Sequence, residues 1–206
     1  MSTVERLPVR VIGYNRSALM KDDDFTRLVS LACHDLRTPL ATIYGFARTL
    51  NRLEDQDDER ASRFLGMIEA ASEQMTGLLD DLGAAARIQG GRWEPALREV
   101  DTLQLVQGDD ERIAVEGQGA SIETEVETVE RALRSLAIAA IRHGPTERVT
   151  WLVHERELEL SPVTPAAAPV LTGEQKRDLG SLVARAVIEA LGGSVQLAGE
   201  SLLVRL

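Results

Sequence analysis

Residues 31–40, LACHDLRTPL, bring a histidine, an acid, a base, a hydroxyl and a proline together within ten positions. Read as a helix advancing about 100° per residue, the stretch sets His34 two residues from both Ala32 and Leu36, so it points away from their apolar stripe toward solvent. Arg37 and Thr38, at i+3 and i+4, share its face one turn on, and Asp35 is its chain neighbour. An exposed imidazole is a nucleophile for phosphoryl transfer and forms a phosphoramidate. A neighbouring carboxylate orients the ring and holds the reactive nitrogen unprotonated. A hydroxyl one turn away is placed to position a water. Pro39 removes a backbone donor and crowds the preceding turn, which brings a purely structural helix no advantage.

The rest of the chain limits what that chemistry serves. At 206 residues, 44% hydrophobic and 27% charged, the composition is that of a soluble globular protein with room for two small domains or one large one. Aromatics are only 3% of the sequence, so the core must be built from Leu, Val, Ile and Ala. The formal charge of -10, with no cluster of Lys and Arg, argues against non-specific nucleic-acid binding and against an anionic membrane surface as partner. The single cysteine, Cys33, rules out an intrachain disulfide and makes no zinc-type spacing with His34, His143 or His154. A reducing cytoplasm is the expected compartment. The N-terminus has no signal-peptide apolar run and no 18 uncharged apolar residues follow one another, so a chain neither secreted nor membrane-spanning is expected.

From Asp22 the pattern turns helical. Asp22, Asp23 and Asp24 suit a helix start, and apolar positions follow at Val29, Ala32, Leu36, Leu40, Ile43, Ala47 and Leu50. After the acidic connection EDQDDER a heptad-like stripe runs Ala61, Phe64, Ile68, Ala71, Met75, Leu78, Leu82, Ala85. Secondary apolar positions (Leu28 and Phe46; Leu65, Leu79 and Ala86) widen both faces beyond what a lone hairpin covers. A homodimeric four-helix bundle accounts for that width, as does packing of the hairpin on the C-terminal half of the same chain. Gly90 and Gly91 stop the second helix. Beyond them ERIAVEG and RVTWLVHERELEL read as strands, VERALRSLAIAAIRHG and RDLGSLVARAVIEALGG as helices, and SVQLAGESLLVRL as a β-hairpin. Two helices on a small mixed or antiparallel sheet make a two-layer α/β sandwich.

LACHDLRTPL resembles the H-box of histidine kinases, and FTRLVSLACHDLRTPLATIYGFARTL resembles the first helix of their HisKA dimerisation and phosphoacceptor domain. The resemblance implies that His34 is phosphorylated, that Asp35 assists as base, and that Thr38 serves in dephosphorylating a partner response regulator. Pro39 corresponds to the helix-bending proline, and Cys33 replaces the usual serine.

The second half resembles the family's ATP-binding domain as a shell. VERALRSLAIAAIRHGP is similar to the N-box helix, but Ser135 and Ala139 stand where two asparagines are expected, and an alanine offers no oxygen to magnesium. SPVTPAAAPV holds neither the glycines nor the adenine-reading acid expected after RELEL, and residues 161–177 must contain what is usually a whole lid. RDLGSLVARAVIEALGGSVQL is similar to the second glycine box. It keeps Gly180 but carries Asp178 where a glycine approaches phosphate, and an aspartate there repels phosphate. His143 and His154 are expected to be structural, and Trp93 and Trp151 to pack at the domain junction and the sheet.

The expected fold is thus α plus α/β: a long hairpin forming a four-helix bundle by dimerisation, then a small degenerate histidine-kinase-type (GHKL-like) sandwich. The expected domains are an N-terminal segment 1–20, a HisKA-like hairpin 21–90 and a degenerate HATPase-like domain 92–206. The resemblance implies a two-component phosphorelay protein, a dimeric histidine phosphotransferase that passes phosphate through His34 between response-regulator receiver domains. It would have no ATP site or cofactor of its own, and the receiver would supply Mg2+. A response-regulator phosphatase using Asp35 and Thr38, a pseudokinase adaptor, a diverged histidine kinase, and phosphorylation by an upstream kinase are the other readings the residues allow.

Overall fold

A computed structural model of the chain describes residues 22–52 and 58–206. The segment 1–20 and residues 53–57 of the acidic connection lie outside the described residues, as do the side chains of Asp22, Asp23 and Asp24. Two long helices, α1 (Asp22–Leu50) and α2 (Asp58–Gln89), pack antiparallel as a hairpin. They meet through the stripes that the three-four spacing marks out, with the rings of Phe46 and Phe64 stacked at 5.2 Å between centroids. On α2 every position of the expected stripe is buried or half-buried.

On α1 the expected stripe holds at Ala32, Leu36, Ile43, Ala47 and Leu50 but fails at two positions. Val29 and Leu40 face solvent, whereas Leu28 and Pro39 are buried. The cause is a second partner at the base of the hairpin. Leu28 and Ala32 of α1, with Ala84, Ala85 and Ile88 of α2, join one hydrophobic core with the C-terminal layer. Farther along, Leu40, Tyr44, Leu65 and Met67 stay exposed. The hairpin therefore does pack on the chain's own C-terminal half, but only at its base.

The C-terminal half begins with β1 (Arg98–Asp101), a single 3-10 turn (Gln104–Val106), β2 (Ile113–Gly119) and β3 (Ser121–Thr124). Then come α3 (Val126–His143), β4 (Val149–Glu155), β5 (Glu157–Ser161), a one-turn α4 (Ala168–Leu171), α5 (Leu179–Ala190), β6 (Ser194–Ala198) and β7 (Ser201–Arg205). Five strands form a mixed sheet in the order β2-β4-β5-β7-β6, in which only β2 and β4 run parallel, and β1 pairs with β3 in a separate ribbon. Period-two alternation turns Trp151, Val153, Leu158, Leu160, Leu202 and Val204 into the core. The helices cover that face with Val129, Leu133, Leu136, Val183 and Val187, giving the expected two-layer sandwich. Gly180 lets α5 approach α3 closely: a Cβ there would stand 3.1 Å from the Ser135 Cβ.

Candidate functional site

Helix α1 presents the histidine outward, as its angular position requires. The His34 side chain is 76% exposed and its Nδ1 lies 3.0 Å from Asp35 Oδ1. A carboxylate only accepts, so this pairing puts the ring proton on Nδ1 and leaves the Nε2 lone pair facing solvent. Thr38 is exposed one turn along on the same face, while Pro39 turns inward. His34, Asp35 and Thr38 are thus brought together on one surface.

Asp35 also borders a cleft of about 180 Å³ between the hairpin and the C-terminal layer, together with Leu78 and Asp81 of α2, Ser135 and Arg142 of α3, and Asp178. Two charge clusters lie at this cleft, and the first crosses it. From α2, Asp81 Oδ1 accepts from Arg131 Nε at 3.0 Å, and Asp80 Oδ2 lies 3.5 Å from Arg131 Nη1. Burial pushes the Asp81 carboxyl up from its ordinary 3.8 to about 6, against the pull of the Arg131 guanidinium and with added repulsion from Asp80 and Asp178.

The second cluster centres on Asp178, whose side chain is 3% exposed. Its Oδ1 caps α5 by accepting from the Ser181 N–H at 2.9 Å, and its Oδ2 meets Arg142 Nη1 at 3.1 Å and His143 Nε2 at 2.8 Å. A carboxylate therefore fills the helix N-terminus at which an anion would bind. Ala139 is buried in α3, and residues 161–177 fold into a compact piece whose Val163, Ala167, Val170 and Leu171 all join the interior. His143, in the last turn of α3, is half-buried against Asp178. His154 sits exposed near the end of β4, and Trp93 and Trp151 are buried. Among the described residues no group of three or more His, Cys, Asp or Glu side chains is arranged to hold a metal ion, and no helix is long and apolar enough to cross a membrane.

Asp81, Arg131 and the partners of Asp178 are what sequence reasoning missed. Asp81 and Arg131 lie 50 residues apart in the chain, and no local pattern links them.

Residues 26–91 match the His Kinase A (phospho-acceptor) domain. The chain is 28% identical to the sensor protein KdpD of Mycobacterium tuberculosis over an alignment covering 86% of this chain and 25% of that protein. It is 26% identical to the phosphate regulon sensor protein PhoR of Pseudomonas aeruginosa, over 76% of this chain and 41% of the relative. A stretch covering 32% of the chain is 36% identical to the probable sensor histidine kinase TcrY of M. tuberculosis, where it spans 14% of the length. Residues 26–91 therefore form a HisKA phosphoacceptor domain, and over most of its length the chain is similar to two-component sensor proteins. The histidine kinase AdeS of Acinetobacter baumannii shares the fold, with a TM-score of 0.54 at 19% identity, over 83% of this chain and 94% of that one. The helical hairpin followed by a GHKL-like α/β layer is thus the fold this chain shares with that kinase. Family members with HisKA domains dimerise and pair with response regulators. This chain spans less than half the length of the curated relatives it matches.

Proposed function

We propose that this chain is a histidine phosphotransferase that relays phosphate through His34 between receiver-domain aspartates without an ATP site of its own. The observation that carries the reading is the Nδ1 pairing of His34 with Asp35, which leaves Nε2 free and outward on an exposed face. A receiver docking there offers an aspartyl phosphate. Nε2 attacks phosphorus in line, the N–P bond forms as the acyl phosphate P–O bond breaks, and the electron pair leaves on the receiver's carboxylate. Asp35 keeps hold of the Nδ1 proton and stabilises the charge on the ring. The reverse step hands the phosphoryl group to a second receiver.

Magnesium nucleotide, which the family implies, does not fit the residues present. Asp178 places a charge where phosphate would lie, Ala139 offers no ligand oxygen, and the cleft of about 180 Å³ is smaller than ordinary ligand pockets of roughly 300–1,000 Å³. These three observations support relay over autophosphorylation. Thr38, exposed one turn from His34, supports response-regulator phosphatase activity as a second reading.

The test is to incubate the protein separately with Mg-ATP and with a phosphorylated receiver domain. Acid-labile phosphate acquired from the receiver and absent from His34→Gln is the expected result. Labelling of His34 by Mg-ATP alone would establish a diverged histidine kinase instead.

A further inference from the structure

Between the 3-10 turn Gln104–Val106, the loop that follows it and the first half of α3 lies a cavity of about 310 Å³, within the size range of ordinary ligand pockets. Leu105, Val106, Ile113 and Trp151 give it an apolar lining. Ser135, Ala139 and Asp178, where the resemblance would place nucleotide, are not part of it. Most of the ions on its wall are matched within the protein. Asp110 holds Arg112 at 2.7 and 2.9 Å, Glu127 accepts from Arg98 at 2.9 Å, and Arg131 is taken by Asp80 and Asp81. Asp109 is exposed on the loop and keeps its water. Glu130 and Arg134 differ: neither makes a hydrogen bond or an ion pair with another of the described residues. Glu at i and Arg at i+4 have the spacing and order that favour pairing across a helix turn, yet here both line the cavity instead. Glu130 is half-buried, where an unmatched carboxylate is costly.

We propose that this cavity binds a free α-amino acid with an apolar side chain, its ammonium on Glu130, its carboxylate on Arg134 and its side chain against Leu105, Val106, Ile113 and Trp151. Four residues of helix rise about 6 Å, so the two protein charges stand one turn apart. An ammonium and a carboxylate on one α-carbon reach both at once, whereas a lone amine or a lone acid satisfies one and leaves the other unmatched. The Arg134 guanidinium can hold the ligand carboxylate with two parallel hydrogen bonds, and the apolar lining keeps water from competing. A phosphate-bearing ligand is disfavoured, because Asp109, Asp110, Glu127 and Glu130 oppose only Arg131 and Arg134 around the cavity. Arg131 and Arg134 also border the cleft that holds Asp81 and Asp178, so they stand between the two spaces. The site does not depend on His34 accepting phosphate.

Titration calorimetry of the full chain at neutral pH with L-leucine, L-isoleucine, L-valine and L-phenylalanine tests the assignment. At least one is expected to bind, one molecule per chain, with a Kd below about 1 mM. Taking leucine as that ligand, isopentylamine lacks its carboxylate and isocaproate lacks its ammonium, and each should bind at least about tenfold more weakly. Glu130→Gln and Arg134→Met should each weaken leucine by about tenfold or more. Isopentylamine should bind Arg134→Met, and isocaproate Glu130→Gln, no more weakly than the parent, since each variant removes only the charge its ligand does not use. Circular dichroism checks that both variants fold, and the two analogues on the parent chain carry the test if one does not. No binding of any of the four amino acids, or binding that both variants leave unchanged, overturns the proposal. Isopentylamine or isocaproate binding as tightly as leucine would show a site for a single charge and overturns it equally.

Discussion

His143 Nε2 on the last turn of α3 lies 2.8 Å from Asp178 Oδ2 at the start of α5, so a histidine and a buried carboxylate tie two helices at the point where they diverge. Arg142 reinforces the tie, and the other carboxylate oxygen caps α5. Asp178→Ala removes both functions at once. The cap is worth about 1 kcal/mol and the charged hydrogen bonds about 1.5–3 kcal/mol, so a loss of about 2–4 kcal/mol in urea unfolding is expected. A loss under about 0.5 kcal/mol would show that Asp178 does not hold this place in solution. Calorimetry of Asp178→Gly with Mg-ATP should remain flat, because Ala139 still supplies no oxygen to the metal.

Dimerisation should depend on the outer half of the hairpin. Leu40, Tyr44 and Leu65 are 54%, 62% and 57% exposed, whereas Ile68 and Leu78 on the inner stripe are half-buried within the chain. Leu40→Glu with Leu65→Glu is therefore expected to give a folded monomer, with helical circular dichroism retained. Light scattering that still reports a dimer would move the interface elsewhere.

The phosphoacceptor face was legible because its signal is local. His34, Asp35, Thr38 and Pro39 sit within six positions, and helical periodicity alone places His34 outward, as the 76% exposure of its side chain shows. The α2 stripe and the sheet were legible for the same reason: each rests on a period of 3.6 or 2 within one segment. The exposure of Val29 on α1 was not, since which of two neighbouring apolar positions turns inward at the base of the hairpin depends on the C-terminal layer, far away in sequence. Nor were β1 and β3, four residues each, whose partners are each other across a long connection. Asp178 was legible only as a residue unsuited to phosphate. Its cap and its two partners, Arg142 and His143, depend on where α3 ends in space.

Asp81 makes the protein's stability pH-dependent in a direction opposite to that of a surface ion pair. Its folded-state carboxyl is raised, so the stabilisation is full below about 3.8 and is lost as pH rises through about 6. Asp81→Asn should match the parent near pH 4 and exceed it by about 2–3 kcal/mol at pH 7.5, an order-of-magnitude figure from the size of the shift. Arg131→Met should be worse than the parent by about 3–5 kcal/mol at pH 7.5, and worse than Asp81→Asn by more, since it strands a buried charge, and should recover at low pH. Urea titrations of the three proteins at pH 4, 5.5 and 7.5 measure this. Parallel pH profiles for parent and Asp81→Asn would contradict it.

Asp35 and Thr38 divide the two chemistries that His34's face allows. If His34 is the nucleophile, Asp35 acts by holding the proton on Nδ1, and Asp35→Asn loses that preference because an amide can donate as well as accept. Transfer from a phosphorylated receiver should then fall by about 10²–10⁴-fold, with docking affinity little changed. Thr38→Ala leaves the His34–Asp35 pair intact, so forward transfer should stay within about threefold of the parent, while any hydrolysis of receiver phosphate should fall by about tenfold or more as the hydroxyl that places water is removed. Single-turnover transfer and receiver dephosphorylation, measured on the same preparations, separate the two. Transfer that survives Asp35→Asn unchanged would mean that the 3.0 Å pair does not set the tautomer, and the attack would then need another base on the receiver's side of the interface.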